Sequence, residues 1–216
     1  TVTTDEYEYD VYSDHVTLVE YLGNETEVLI PDTLGGKAVT VIGEYCFYEN
    51  TVIETVAVPA SVRSIETGAF YYCTSLRRVK LPSGCTSYGE KLFSWCTSLE
   101  SVTIPAGMTV IPDYAFNNCT SLTEIIWGGN VTDIGVRSFS WCTSLVTLEI
   151  PEGVKTIGDY AFYNCGTLET VTLPGTPVTI SDTAFEGCDK AAGIPSGTDE
   201  SVPGVSSGIS DTETSE

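Results

Sequence analysis

Apolar residues return at fixed places every 23 positions between Ile42 and Cys188. The stretch Ile157–Pro174, IGDYAFYNCGTLETVTLP, shows the whole unit. Copies precede it at Ile42, Ile65, Tyr88, Ile111 and Ile134, and a shortened copy starts at Ile180. One column holds Phe47, Phe70, Phe93, Phe116, Phe139, Phe162 and Phe185. Stacked along a core, these rings form a ladder whose coils lie about 4.8 Å apart if they pair as strands. A second column holds Ile53, Leu76, Leu99, Leu122, Leu145 and Leu168. Two more run Val56, Val79, Val102, Ile125, Leu148, Val171 and Val58, Leu81, Ile104, Trp127, Ile150, Leu173. These last two are separated by one variable residue, as the buried face of a short strand requires.

The return side of each coil carries its own pair of columns. One begins at Val39 and Val62, the other at Ile42 and Ile65, and together they predict a second short extended segment. Between Ile157 and Phe162 the spacing is helix-like for a turn or two, so a short helical or 3₁₀ segment is expected around each Ala-Phe pair. Glu44, Glu90, Asp113, Asp159 and Asp182 stand just before it, where acids cap a helix start. Proline at 59, 82, 105, 151 and 174 ends each strand by removing a donor. Gly128 breaks that series beside Trp127, the largest side chain in its column, and a local widening is expected there.

The fold class that follows is an α/β repeat solenoid with 23-residue coils, short strands and short helical or 3₁₀ segments. Residues 1–41 alternate apolar and polar around Tyr7, Tyr9, Val11, Val16 and Leu18 and read as an N-terminal β cap. Without it the first coil would present an apolar edge to water. Between Pro31 and Ile42 lie five more residues than in later coils, which predicts a longer loop around Leu34-Gly35-Gly36. Residues 42–188 hold six full repeats and one partial repeat. Residues 189–216 are rich in Ser, Gly, Thr, Pro and acids, too poor in apolar groups to order themselves, and read as a flexible acidic tail or linker.

Charge narrows the function. The net charge is −21, from 30 acids against nine Lys and Arg. Nucleic acid and anionic membrane surfaces both need a basic face and are disfavoured as partners. No apolar run approaches the roughly 20 residues of a spanning helix, and this segment carries no export signal.

The unit Ile-Gly-x-x-Ala-Phe-x-x-Cys-x-x-Leu-x-x-Val-x-Leu-Pro, with its 23-residue period, resembles the BspA-like class of bacterial leucine-rich repeats. The resemblance covers residues 16–188 and includes the lead-in Val16–Gly43. It implies a secreted or cell-surface protein of host-associated bacteria, acting in adhesion through binding to host or microbial proteins or glycans. The alternative is a rigid spacer presenting another module beyond the tail.

Cys73, Cys96, Cys119, Cys142, Cys165 and Cys188 form one column, with Asn50 in the same place in the first repeat. Disulfide bonding would not explain Asn50, so the column reads as free thiols that satisfy a backbone group inside a turn. A single histidine and the lack of a C-x-x-C leave no zinc site. No nucleophile–base pair stands out, so neither an enzyme nor a cofactor is expected.

A repeat keeps its inside constant and varies its outside, so partner contacts belong to the variable columns. Arg77, Arg78 and Lys80 make the basic cluster of an acidic chain, although Glu54 and Glu100 flank Arg77 on neighbouring strands. Tyr72, Trp95 and Trp141 occupy the column before the cysteines, where exposed aromatics favour protein interfaces or sugar stacking. These six residues are the candidate contacts of a monomer binding an extracellular macromolecule.

Overall fold

The structure is a computed structural model and describes residues 1–194. The chain opens with β1 (Val2–Thr3), β2 (Tyr7–Val11) and β3 (His15–Tyr21), an antiparallel meander whose inward residues Tyr7, Tyr9, Val16 and Leu18 are buried. The repeat then begins. One face carries β4 (Glu27–Leu29), β7 (Thr55–Ala57), β9 (Arg78–Lys80), β11 (Ser101–Ile104), β13 (Glu124–Trp127), β15 (Thr147–Glu149) and β17 (Thr170–Thr172). The return side carries β6 (Lys37–Ile42), β8 (Ser64–Ile65), β10 (Ser87–Tyr88), β12 (Val110–Ile111), β14 (Asp133–Ile134), β16 (Thr156–Ile157) and β18 (Thr179–Ile180). Pairing between coils is parallel and in register at 23 residues, as in Thr147 with Thr170 and Ile134 with Ile157. The predicted return segments are therefore real, each two residues long after the six-residue β6.

The extra residues after Pro31 form a hairpin. β5 (Thr33–Leu34) pairs antiparallel with β6 across Gly35-Gly36, whose φ values of 55° and 77° suit the tight turn that right-twisted strands require. β3 joins β6 in parallel, so the meander continues into the return sheet and closes the first coil.

Seven phenylalanines form the core ladder. Successive ring centroids from Phe47 to Phe185 lie 4.9, 5.3, 5.6, 5.0, 5.3 and 5.1 Å apart and stack with small interplanar angles. Tyr21 extends the stack at the N-terminal end, 5.1 Å from Phe47. Past Cys188, Ala191 and Ile194 pack on the core and Ala192 bridges Thr170. The expectation of a flexible tail falls mainly on 195–216, outside the described residues.

The helical segments do not exist among the described residues, and the fold is an all-β solenoid rather than α/β. The run around each Ala-Phe pair is a chain of turns with two left-handed residues per coil. One column is Tyr45, Gly68, Lys91, Tyr114, Arg137 and Tyr160; the other is Glu49, Tyr72, Trp95, Asn118, Trp141, Asn164 and Gly187. A right-handed helix cannot pass through such positions. The N–H groups are also needed elsewhere. Those of Tyr45, Phe47 and Glu49 bond forward to Thr67, Ala69 and Tyr71 of the next coil, while Cys46, Tyr48 and Asn50 bond back three residues. The acids before this run consequently cap no helix. Asp113 instead accepts the Val136 N–H of the next coil at 2.7 Å.

All eight cysteines are buried thiols. In the ladder, each Sγ donates to the carbonyl of the phenylalanine 26 residues earlier, from Cys73 to Phe47 at 3.0 Å through Cys188 to Phe162 at 3.0 Å. Asn50, lacking an earlier phenylalanine, turns forward and accepts from Val52 and Ile53 N–H at 3.0 Å.

Burial pushes the thiols of Cys46, Cys96, Cys119 and Cys142 above their ordinary value, loss of solvation being the largest cause. An unfolded chain ionises these thiols from about pH 8.5, whereas the folded chain holds their protons. Above that pH the unfolded state binds fewer protons, so stability is complete below it and falls as pH rises, by up to about 1.4 kcal/mol per pH unit and thiol. Melting temperatures scanned from pH 7 into the alkaline range are expected to drop steeply past this point, and more gently in Cys119→Ala/Cys142→Ala. A profile that is level there would contradict the buried-thiol account.

Candidate binding face

The three bases of the cluster part company in the structure. Arg77 is neutralised: its Nη1 lies 2.8 Å from Glu100 Oε1 and its Nε 3.9 Å from Glu54 Oε2, on the two neighbouring coils. Arg78 and Lys80 point outward from β9, are exposed, and have no ion-pair partner among the described residues.

The strand face opens beside them. A groove of about 830 Å³ runs across β4, β7, β9 and β11 to Gly128, within the roughly 300–1,000 Å³ typical of ligand sites. Arg78 and Lys80 stand on it, and Val79, Leu81, Ile104 and Pro105 contribute apolar lining. Leu29, at the β4 end, is 80% exposed. Val79 and Leu81 are only half-buried, while Val56, Val58, Val102 and Ile104 in the same columns of adjacent coils are buried.

This opening follows from a gap in the backbone pairing. The face is three separate sheets, β4-β7-β9, β11-β13 and β15-β17, so no ladder joins β9 to β11. One backbone bond crosses there, Glu100 N–H to Arg77 C=O at 3.2 Å. On the return side the ladder stops at the same coil, between β10 and β12. Pro112 supplies one cause. Its column contains Gly43, Glu66, Gly89, Gly135, Gly158 and Ser181, each donating N–H to the coil before, and proline has none to give. Tyr88 and Cys85 also replace aliphatic residues of the return columns in this coil, the Tyr88 hydroxyl turning to the Cys85 carbonyl at 3.1 Å.

Gly128 shows the opposite adjustment. Where other coils have proline, its N–H bonds Ile104 C=O at 2.9 Å, and a Cβ there would meet that oxygen at 2.5 Å. At the next junction β13 and β15 do not pair, and Trp127 packs edge-on to Phe139 at 6.1 Å.

The aromatic candidates fall into two groups. Tyr72 and Trp95 stack on each other at 5.6 Å and belong to a set of rings that includes Tyr45, Tyr48 and Tyr71. Trp141 lies apart, beyond Asn118, edge-on to Tyr163 at 6.1 Å. Arg137 covers Tyr160 at 4.6 Å and Tyr163 at 5.5 Å. Tyr72 and Trp95 thus spend ring faces on each other, which suits packing between coils better than sugar stacking.

The comparisons with known proteins agree with this architecture. Residues 40–145 and 109–196 match the BspA type leucine rich repeat region, in six copies. The chain belongs to the BspA-type leucine-rich repeat family. It is similar in structure to the leucine rich repeat protein of T. pallidum, with 29% identity and a TM-score of 0.82, over 89% of this chain and 91% of that one. It is also similar to a leucine-rich repeat protein of Bacteroides ovatus, at 26% identity and TM-score 0.66, covering 88% of this chain and 57% of that one. A leucine rich cell surface protein of Faecalibacterium prausnitzii shares the fold at 22% identity and TM-score 0.50, with 88% and 86% covered. No curated protein matches the chain significantly by sequence.

This BspA-type chain departs from a featureless repeat where sequence reasoning did not look. The groove lining of Leu81, Ile104, Pro105 and Gly128 was treated as scaffold. The signal for it was Cys85 and Tyr88 in one coil facing Pro112 in the next. The left-handed column adds a stability test. Trp141 has φ 62° and is 43% exposed, so its backbone is strained while its side chain is not deeply buried. Asparagine tolerates that backbone, and Trp141→Asn is expected to stabilise the fold by about 0.5 kcal/mol, strain relief exceeding the lost edge contact. A urea unfolding midpoint that falls by an equivalent amount would refute it.

Proposed function

We propose that this chain is a secreted or cell-surface interaction module, adhesin-like in use, binding a host or microbial macromolecule through exposed repeat positions. The observation that carries the reading is a pair of unpaired cations, Arg78 and Lys80, standing over an apolar groove in a chain of net charge −21. Solvated cations in so acidic a protein would be expected to find carboxylates, as Arg77 does. Membership of the BspA-type family and the fold shared with a protein named for the cell surface support the location.

The test is capture of the labelled chain on arrays of extracellular matrix proteins and glycans. Arg78→Glu and Trp141→Ala are expected to weaken capture while leaving the melting temperature near that of the parent. Capture that ignores both substitutions would place the contact elsewhere. A chain that captures nothing would favour the spacer reading.

A further inference from the structure

We propose that the groove beside the β9–β11 junction is the docking site for an extended, acidic segment of a protein ligand, one that pairs a carboxylate with a neighbouring apolar side chain. This deepens the interaction-module reading and rests on it. Three features of the site select that chemistry. Arg78 and Lys80 alternate along one strand and face outward from it, so both reach a carboxylate lying over β9. Val79 and Leu81, with Ile104 and Pro105 across the junction, give an apolar lining that an alkyl side chain fills. The junction itself is unpaired. Arg78 N–H and Lys80 C=O bond towards β7, which leaves the Val79 N–H and C=O facing β11 without a ladder to join.

The alternatives fit less well. A sulfated glycan would need a longer run of cations and would gain nothing from the alkyl lining. A purely apolar segment would leave Arg78 and Lys80 unused. Long-range repulsion from the acidic surface is screened within about 8 Å at physiological salt, so the local cation pair governs a ligand already at the groove.

The experiment uses the full chain and fluorescein-labelled octapeptides read by anisotropy. A peptide alternating Glu and Val is expected to bind. One alternating Lys and Val is expected not to bind. One alternating Glu and Ser is expected to bind about tenfold more weakly, for want of buried alkyl surface. Arg78→Glu/Lys80→Glu should weaken the Glu-Val peptide by about tenfold or more, and added salt should weaken it in the parent. Ala106→Trp, which fills the groove from its exposed lip, should abolish binding; Lys155→Glu, a base on another coil, should leave it within about twofold.

Near-ultraviolet circular dichroism of each variant separates lost contacts from lost fold. Equal binding of the Lys-Val peptide, or unchanged binding by a folded Arg78→Glu/Lys80→Glu variant, overturns the proposal. So does a heparin hexasaccharide that binds through Arg78 and Lys80 when the Glu-Val peptide does not. If the peptides fail while matrix proteins are still captured, the groove assignment falls and the interaction-module reading stands. If the peptide binds and no extracellular macromolecule does, the reverse holds.

Discussion

Replacing Phe116 by alanine is expected to cost about 3–5 kcal/mol and to unfold much of the chain at 37 °C. Phe116 is fully buried and sits between Phe93 at 5.6 Å and Phe139 at 5.0 Å. Its loss leaves a cavity that neither neighbour can close, because each is itself held in the ladder. The backbone of this residue is committed as well: its N–H bonds Ser138 and its carbonyl accepts the Cys142 thiol. A solenoid is stabilised by each coil and its two interfaces, so a defect in the middle weakens two interfaces at once. The position is a demanding one, since the coil before it has no strand ladder to its own predecessor. Equilibrium urea unfolding should show either a large drop in midpoint or a split transition, the two halves melting separately. Phe185→Ala, at the last ring, touches one phenylalanine only and should cost less. A Phe116→Ala variant with the parent's midpoint would mean that the ladder is not the main source of stability.

The repeat made most of the scaffold legible. A period of 23 fixes which residues stack, and stacking places the phenylalanines, the strand columns and the return columns without further information. The cysteine column was legible for the same reason: Asn50 in one copy pointed to a hydrogen-bonding role rather than a disulfide. The helical expectation failed because spacing alone cannot report backbone handedness. Ala161 and Phe162 following Ile157 suit a helix turn, yet the columns on either side of that pair hold Gly68, Asn118, Asn164 and Gly187, residues that favour left-handed backbone. Weighing those four would have predicted a run of turns.

The candidate face was half legible. Arg78 and Lys80 were found by charge, but columns treat every coil as equivalent, and the groove is a difference between coils. It arises at one junction, from a proline where a donor is needed and a tyrosine where isoleucine is usual. Arg77 pairs with Glu54 and Glu100, the acids that the sequence places beside it on the neighbouring strands.

Deleting residues 1–41 is expected to make the chain aggregate. The deletion removes β1 to β5 and all of β6 but Ile42. β7 then loses its partner β4, and β8 loses β6, so both become open edges of parallel sheets. Tyr21 no longer covers Phe47, and Ile53, Val56 and Val58 lose the first coil that shields them. An apolar surface flanked by two unpaired strands is the arrangement that adds further chains, and the Phe47 edge matches the edge any second copy would offer. Removing residues 1–4 is the informative control. It takes only β1, whose Val2 is 41% exposed and which pairs nothing but β2, and should leave a monomer. Size-exclusion chromatography and binding of an apolar dye distinguish the two variants. If residues 42–216 remain monomeric and melt cooperatively, the meander is dispensable and the first coil must bury its own edge.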